Sequence, residues 1–473
     1  MLKTRVKGPR RAERVTRLQR EHARRGLPAI GLEAEFATII DDVQQKPEDV
    51  FGSPRHIVRG PLVHRTGRSY HLPTGGALYF DTGVIEIATP MIEIARGCGA
   101  RGTRSLWESI GFLRNELDAW ELATGRSVRL VGFSAHYNVS FDMPEGDRNG
   151  RTVEQLAYLL THVLAAPVML LAANRLSTGV GVRPRGNRIE ITADFTPDAA
   201  LMAATATLIV GIVRDVMQWP SYGLEQLAEH NIPVVQGFAP IPHSSRKGWV
   251  AKNTCYPVNP FTADVNTVQW TLRSGTRVSL REMAGRTTRH FWPSIAAMGD
   301  PLSLRLIAAV MRGRAPSLLE LDERPPAYED VGRLCRWDDL FPVTLLPRSR
   351  YERVLGNAIS GRRVRFGGAW HRPVGMRGWT HVVFKRERDG RREVRSLDDL
   401  LVHLDAWDRS ANRRVAERRV PTPREQLMDR RVDDRRCDLK DTNERRRSVD
   451  PSPTASEALA AETRAPQDAE PRL

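Results

Sequence analysis

Four acidic side chains sit in the middle of apolar, strand-like segments, and a folded chain tolerates such a set only if something supplies counter-charge. "AIGLEAEFATII" carries Glu33 and Glu35, "TGVIEIATP" carries Glu86, and "NRIEITADF" carries Glu190. Alternate residues of a strand share a face about 7 Å apart. Glu33 and Glu35 therefore point together, while Leu32, Ala34 and Phe36 occupy the opposite, apolar face. "GFSAHYNVSFD" follows the same rule, with Ser134, His136 and Asn138 alternating against Phe133, Ala135, Tyr137 and Val139. The apolar sets require one buried face, so the polar sets predict a second face lined with carboxylates and an imidazole. Each buried carboxylate costs several kcal/mol of desolvation unless it is paired, and a divalent cation is the simplest remedy. Oxygen-rich, cysteine-free ligation suits Mg²⁺ or Mn²⁺ better than zinc, and an imidazole favours manganese slightly.

Beside these acids, "STGVGVRPRGN" reads as a Gly- and Arg-rich loop presenting Arg183 and Arg185, with Arg188 opening the strand "RIEIT". Guanidinium forks grip phosphate or carboxylate bidentately. Helical spacing over 102–124 places Leu106, Ile110, Leu113, Leu117 and Trp120 on one face. Two further helices are expected over about 152–174, kinked at Pro167, and about 197–219. "HVVFKRERDGRREVRS" turns at Asp389-Gly390 and reads as a β-hairpin.

The resulting organisation is a basic flexible segment over 1–27, the core of a catalytic domain over 28–220, and its continuation over 221–408. That continuation holds a loop-rich lobe and the C-terminal hairpin. From 409 to 473 apolar residues thin out, so a disordered charged tail is expected. The fold class is α+β.

Charge and cysteine usage narrow the function classes. The formal net charge is +16, carried almost entirely by arginine spread along the chain, and this even spread weighs against a nucleic-acid-binding protein. Four distant cysteines form no metal or disulfide spacing, and the basic stretch from Leu2 to Arg25 has no apolar core of a leader, so a cytoplasmic setting is expected. The longest apolar runs, around Leu156–Ala173 and Ala199–Val213, are interrupted by polar residues or proline and read as buried helices, with no membrane association. The sequence allows a homo-oligomer. Cys255 and His243 are lesser candidates for a reactive thiol and a nucleotide or substrate contact, and Trp219, Trp249 and Trp270 read as packing residues.

"GLEAEF", "VIEIATP", "HYNVSF" and "NRIEIT" occur in an order and spacing that resembles the glutamine synthetase-like carboxylate-amine ligases, the group of glutamate–cysteine ligases and amidoligases. The resemblance covers about Ala29 to Trp219. It implies a curved antiparallel sheet flanked by helices, like the glutamine synthetase/guanidino kinase catalytic domain, whose concave face takes ATP with Mg²⁺ or Mn²⁺. Glu33, Glu35, Glu86 and Glu190 would then be metal ligands. His136 and Asn138 would lie near metal and nucleotide, and Arg188 would stabilise the transferring phosphoryl group. The implied reaction passes the γ-phosphoryl group of ATP to a carboxylate, small or peptide-borne, and an amine then displaces phosphate to form an amide. The family strand reads R-x-E-x-R, whereas here Arg188 and Glu190 are followed by Thr192, so any carboxylate clamp is expected from Arg183 or Arg185. The alternatives are a guanidino kinase-like phosphotransferase on the same fold and a non-enzymatic, nucleic-acid-associated basic protein.

Overall fold

The three segments that carry the four acids, and the segment that carries His136, become strands of one antiparallel sheet. The structure is a computed structural model describing residues 27–60, 62–140, 152–244, 246–321 and 341–409, so the expectations for the basic lead-in and the charged tail lie outside the described residues. The sheet comprises β1 (Ala29–Ile40), β2 (Val43–Gln45), β3 (Val63–Thr66), β4 (Ser69–His71), β5 (Ala77–Asp81), β6 (Val84–Ala88), β7 (Ile92–Glu93), β8 (Val128–Ser140), β9 (Val180–Arg185), β10 (Arg188–Ala193), β11 (Ile241–Pro242) and β12 (Trp249–Ala251). Its order is β11-β12-β9-β10-β8-β1-β6-β5-β4-β3, with β2 and β7 also pairing β1.

The apolar face of each strand is covered by helices. Leu32, Ala34 and Phe36 are buried with Ala135, Tyr137, Val139, Ile189 and Ile191 in the main core. Three long helices share that core: α1 (Cys98–Thr124), α2 (Val153–Ala172) and α3 (Ala199–Val216). The first starts a turn earlier than its apolar spacing predicts, because two glycines let the backbone come close to its neighbours. A Cβ on Gly99 would lie 2.4 Å from Thr207 Oγ1, and one on Gly102 3.2 Å from Leu32. Thr152 and Asp198 cap the second and third by accepting from the N–H of Gln155 and Leu201. α2 runs on through Pro167 as one helix. Both α2 and α3 are long and apolar enough to cross a membrane, yet 89% and 83% of their most apolar stretches are buried inside the fold.

Two sequence readings are corrected here. Residues 180–185 are a strand, not a loop: Val180 and Val182 alternate into the core, and the Gly186-Asn187 turn joins β9 to β10 as a hairpin. Phe133 does not join the core with its alternating partners. The pairing of β1 with β8 slips between Glu35 and Phe36, so Gly132 opposes Phe36 and Phe133 is turned outward, 40% exposed. Gly132 permits this bulge, because a Cβ there would fall 2.3 Å from the Phe195 ring.

The loop-rich lobe holds a two-stranded ladder, β13 (Trp270–Thr271) with β14 (Arg277–Val278), and the helix Leu280–His290, started by a Ser279/Glu282 capping box. Residues from Tyr351 to Trp407 assemble a second, smaller core, in which Val354, Leu355, Phe366, Val382, Phe384 and Trp407 pack together. Its sheet has four antiparallel strands: β15 (Val364–Phe366), β16 (Ala369–Arg377), β17 (His381–Arg386) and β18 (Arg392–Ser396). The expected hairpin is β17–β18, with Gly390 at φ +71° in its turn.

Candidate active site

Strand register puts the predicted polar residues on one face. Directly opposed pairs share a face, and the pairs run Tyr79–Glu86, Glu86–Glu35, Glu33–His136, His136–Thr192, Thr192–Gly181, Asn138–Glu190 and Glu190–Arg183. Arg188 opposes Arg185 at the end of the β9–β10 hairpin. The face also curls. Six strand spacings separate β12 from β5, about 29 Å on a flat sheet at ~4.8 Å each. Nevertheless Arg246, in the connection between β11 and β12, brings Nη2 to 3.4 Å from Asp81 Oδ2 at the end of β5.

The acids fall into two electrostatically different groups. Glu190, 1% exposed, is held by both Arg183 and Arg185, one on each carboxylate oxygen. Arg183 is itself 4% exposed, and its Nε has no acceptor among the described residues. Burial, with Arg185 and Arg246 nearby, pulls its guanidinium down to about 10, which leaves it charged at neutral pH. Arg188 donates from Nε to Asn138 Oδ1 at 2.7 Å.

Glu33, Glu35 and Glu86 have no such clamp. His136 Nδ1 lies 3.1 Å from Glu33 Oε2 and 3.9 Å from Glu190 Oε1, and Nε2 lies 3.2 Å from Ser134 Oγ and 3.6 Å from Glu35 Oε1. Ligand atoms of Glu33, Glu86 and His136 all fall within 4.8 Å of one another. Burial raises the Glu33 carboxyl, but His136, Arg188 and Asn138 outweigh it and bring it below the usual range. Glu86, 3% exposed, is pushed up to about 8 by burial and by Glu33, even though the Tyr79 hydroxyl donates to it. One carboxylate held near neutrality beside two others is the signature of a site short of positive charge. Two carboxylates and an imidazole in one small volume fit Mg²⁺ or Mn²⁺.

A cavity of about 280 Å³ opens beside this cluster, lined by Glu35, Ser134, His136, Arg183, Thr192 and Arg246 among others. His243 also lines it, and burial together with Arg183, Arg246 and Arg185 lowers its pKa. The outward-turned Phe133 forms part of the wall. Cys255 is 3% exposed and does not line this cavity.

Three residues escaped the sequence reading. Tyr79 was legible: counting back across the Asp81–Val84 hairpin places it opposite Glu86. Arg65 on β3 stands over the Tyr79 and Trp379 rings, 5.4 and 4.4 Å from their centroids, and feels Glu33 and Glu86. Neither Arg65 nor Arg246 sits in a pattern that separates it from the many arginines of this chain.

No family model matches the chain, and no curated protein matches it. Among solved structures, the chain is similar to one described as the crystal structure of the complex between the prokaryotic ubiquitin-like protein Pup and its ligase PafA. The TM-score is 0.41 at 12% identity, over 81% of this chain and 94% of that one. A similarity that low assigns neither residues nor chemistry, and these rest on the geometry above.

Proposed function

We propose that this protein is an ATP-dependent carboxylate-amine ligase of the glutamine synthetase-like kind, working with Mg²⁺ or Mn²⁺. The observation that carries the reading is the division of one sheet face. Glu33, Glu35, Glu86 and His136 form a cation-deficient cluster, while Arg183, Arg185 and Arg188 lie beside it on β9 and β10.

Glu33, Glu86 and His136 would hold the metal, with Glu35 within reach of the same imidazole and Glu190 orienting the arginines. A bound divalent ion supplies charge neutralisation for polyphosphate oxygens. Arg188, fixed by Asn138, stabilises charge developing on a transferring phosphoryl group. Arg183 is pinned by Glu190 through Nη2 and lines the cavity, which sets its guanidinium to meet a substrate carboxylate. Transfer to that carboxylate gives an acyl phosphate, and attack by an amine expels inorganic phosphate. The chain needs no nucleophile of its own, only positioned charge.

A second reading has one specific observation behind it. Ser134, His136 and Glu33 stand in hydrogen-bonding sequence at 3.2 and 3.1 Å, the arrangement of a nucleophile, its base and the group that orients the base. Incubation with ATP, Mn²⁺ and pooled carboxylates and amines separates the readings. Inorganic phosphate appearing with a new amide mass supports the ligase, and a phosphorylated product without free phosphate indicates a kinase. ATP-independent hydrolysis lost in Ser134→Ala indicates the serine route.

A further inference from the structure

Strand pairing in the small C-terminal sheet gathers cations that are scattered in the sequence. Arg372, Lys385 and Arg392 are direct cross-strand neighbours on β16, β17 and β18, and all three are exposed. Their face continues through Arg377 at one end and through Arg365, opposite Trp370, at the other. Like charges placed directly across a sheet repel. Among the described residues, none of these five cations has a carboxylate within ion-pair distance.

The opposite face shows what pairing looks like here. Glu393 holds Arg386 and Arg395. Acids are thus available to this sheet, and on the outer face Glu387, next to Trp370, pairs with Arg363 at 3.4 Å and with none of the five cations. The outer face adds Trp370, 39% exposed, with the Arg363 guanidinium 4.9 Å from its ring centroid. Val383 and Val394 oppose each other in the middle of the same face.

We infer that this outer face, Arg365, Trp370, Arg372, Arg377, Lys385 and Arg392, is a docking surface for single-stranded nucleic acid. The cations match a phosphodiester backbone, and arginine forks suit phosphate bidentately. An exposed indole on a four-stranded antiparallel sheet offers a base a stacking surface. An acidic run of polypeptide would satisfy the cations but carries no flat ring to stack on the exposed part of the indole. The even spread of arginine along the sequence hides this patch, because its members run from residue 365 to residue 392 and meet only through strand register. The surface is separate from the acid-lined face, so its failure would leave the ligase reading untouched.

The test uses the full chain and fluorescein-labelled oligonucleotides of about 12 residues, one RNA and one DNA, read by anisotropy at about 50 to 200 mM salt. Binding of either or both that is weakened by the variants below supports the inference, and the preference between the two arms identifies the natural strand. The triple variant Arg372→Gln, Lys385→Gln, Arg392→Gln should weaken binding at least tenfold. It should also flatten the salt dependence by about 2 in log–log slope, about 0.7 per lost phosphate contact on a single strand. Trp370→Ala, which leaves every cation in place, should weaken binding roughly 5- to 100-fold. Binding unchanged in both variants would assign it to the basic ends of the chain and overturn the inference. Loss of poly-glutamate binding in the triple variant with oligonucleotide binding intact would overturn it in favour of an acidic protein partner.

Discussion

Glu86→Gln tests the charge deficit of the acid-lined face directly. The glutamine keeps the shape and an acceptor for the Tyr79 hydroxyl but cannot ionise. In the folded protein the Glu86 carboxyl is pushed up to about 8, against an ordinary 4.5, by burial and the Glu33 charge. A raised carboxyl destabilises the fold at every pH above its unfolded value, and the penalty grows until the folded value is reached. From 4.5 to pH 7, at about 1.4 kcal/mol per pH unit, that amounts to about 3 kcal/mol. Because Glu33 shares the repulsion, this is an upper bound. In EDTA at pH 7 the variant should therefore melt several degrees above the parent, at roughly 2 °C per kcal/mol for a chain of this size. The parent should lose stability from pH 5 to pH 8 while the variant stays nearly flat, and the two should converge near pH 5. Adding Mn²⁺ at about 100 times its dissociation constant should stabilise the parent by about 2.7 kcal/mol and the variant far less. A variant less stable than the parent in EDTA, or one that gains as much from Mn²⁺, would refute the reasoning and make Glu86 an ordinary structural carboxylate.

Other expectations come from packing, pairing and burial. Gly132→Ala drives a methyl group into the buried Phe195 ring and should cost about 1–3 kcal/mol in chemical denaturation, with turnover lost as Ser134 and His136 shift; an unchanged midpoint would dismiss the bulge. Arg183→Ala leaves the buried Glu190 with one partner and should cost about 3 kcal/mol, and adding Glu190→Gln should recover a good part of that. No recovery would mean that the pair is not coupled. His162 sits edge-on between Tyr158 and Phe238, and burial lowers it to about 4 from 6.5. Its contribution is therefore intact at pH 7 and lost as pH falls from 6.5 toward 4, about 2 kcal/mol by pH 5. His162→Leu should remove that part of the acid-side slope in a pH series of denaturation midpoints.

The period-2 alternation made the main sheet readable, because one face had to be apolar and the other was too acidic to be ordinary solvent-facing surface. It carried Glu33, Glu35, Glu86, His136 and Glu190 to one face without any knowledge of pairing, and register then joined them. Alternation failed where the backbone departs from it. A one-residue bulge at Gly132 reversed Phe133, and nothing in "GFSAHYN" announces a bulge beyond the glycine itself. Residues 180–185 were read as loop because Gly and Pro count against strands. In the structure Gly181 opposes Thr192, where a Cβ would fall 2.3 Å from Oγ1, so the glycine clears space on the polar face and does not break the strand. The small sheet was half visible as a hairpin. Its two other strands, β15 and β16, are short or bulged and carry too few apolar residues in period to stand out.

The difference between the two acid groups gives the face a direction. Glu190 meets two arginines and is balanced within the chain, so the β9–β10 end presents guanidinium donors fixed in place and asks for an anion. Among the described residues none of Glu33, Glu35 and Glu86 is ion-paired to an arginine; their close partners are His136, Asn138 and Tyr79, with Arg188 and Arg65 acting from further off, so the β1–β6 side asks for a cation. A metal-bound polyphosphate carries both charges in order, and a ligand bridging the two ends would relieve both imbalances at once. If that is the bound state, metal alone should bind weakly and nucleotide alone should bind weakly, and each should tighten the other by the same factor. Calorimetric titration of each in the presence and absence of the other checks this reciprocity. An affinity for each that is the same with and without the other would mean that the two halves of the face act separately.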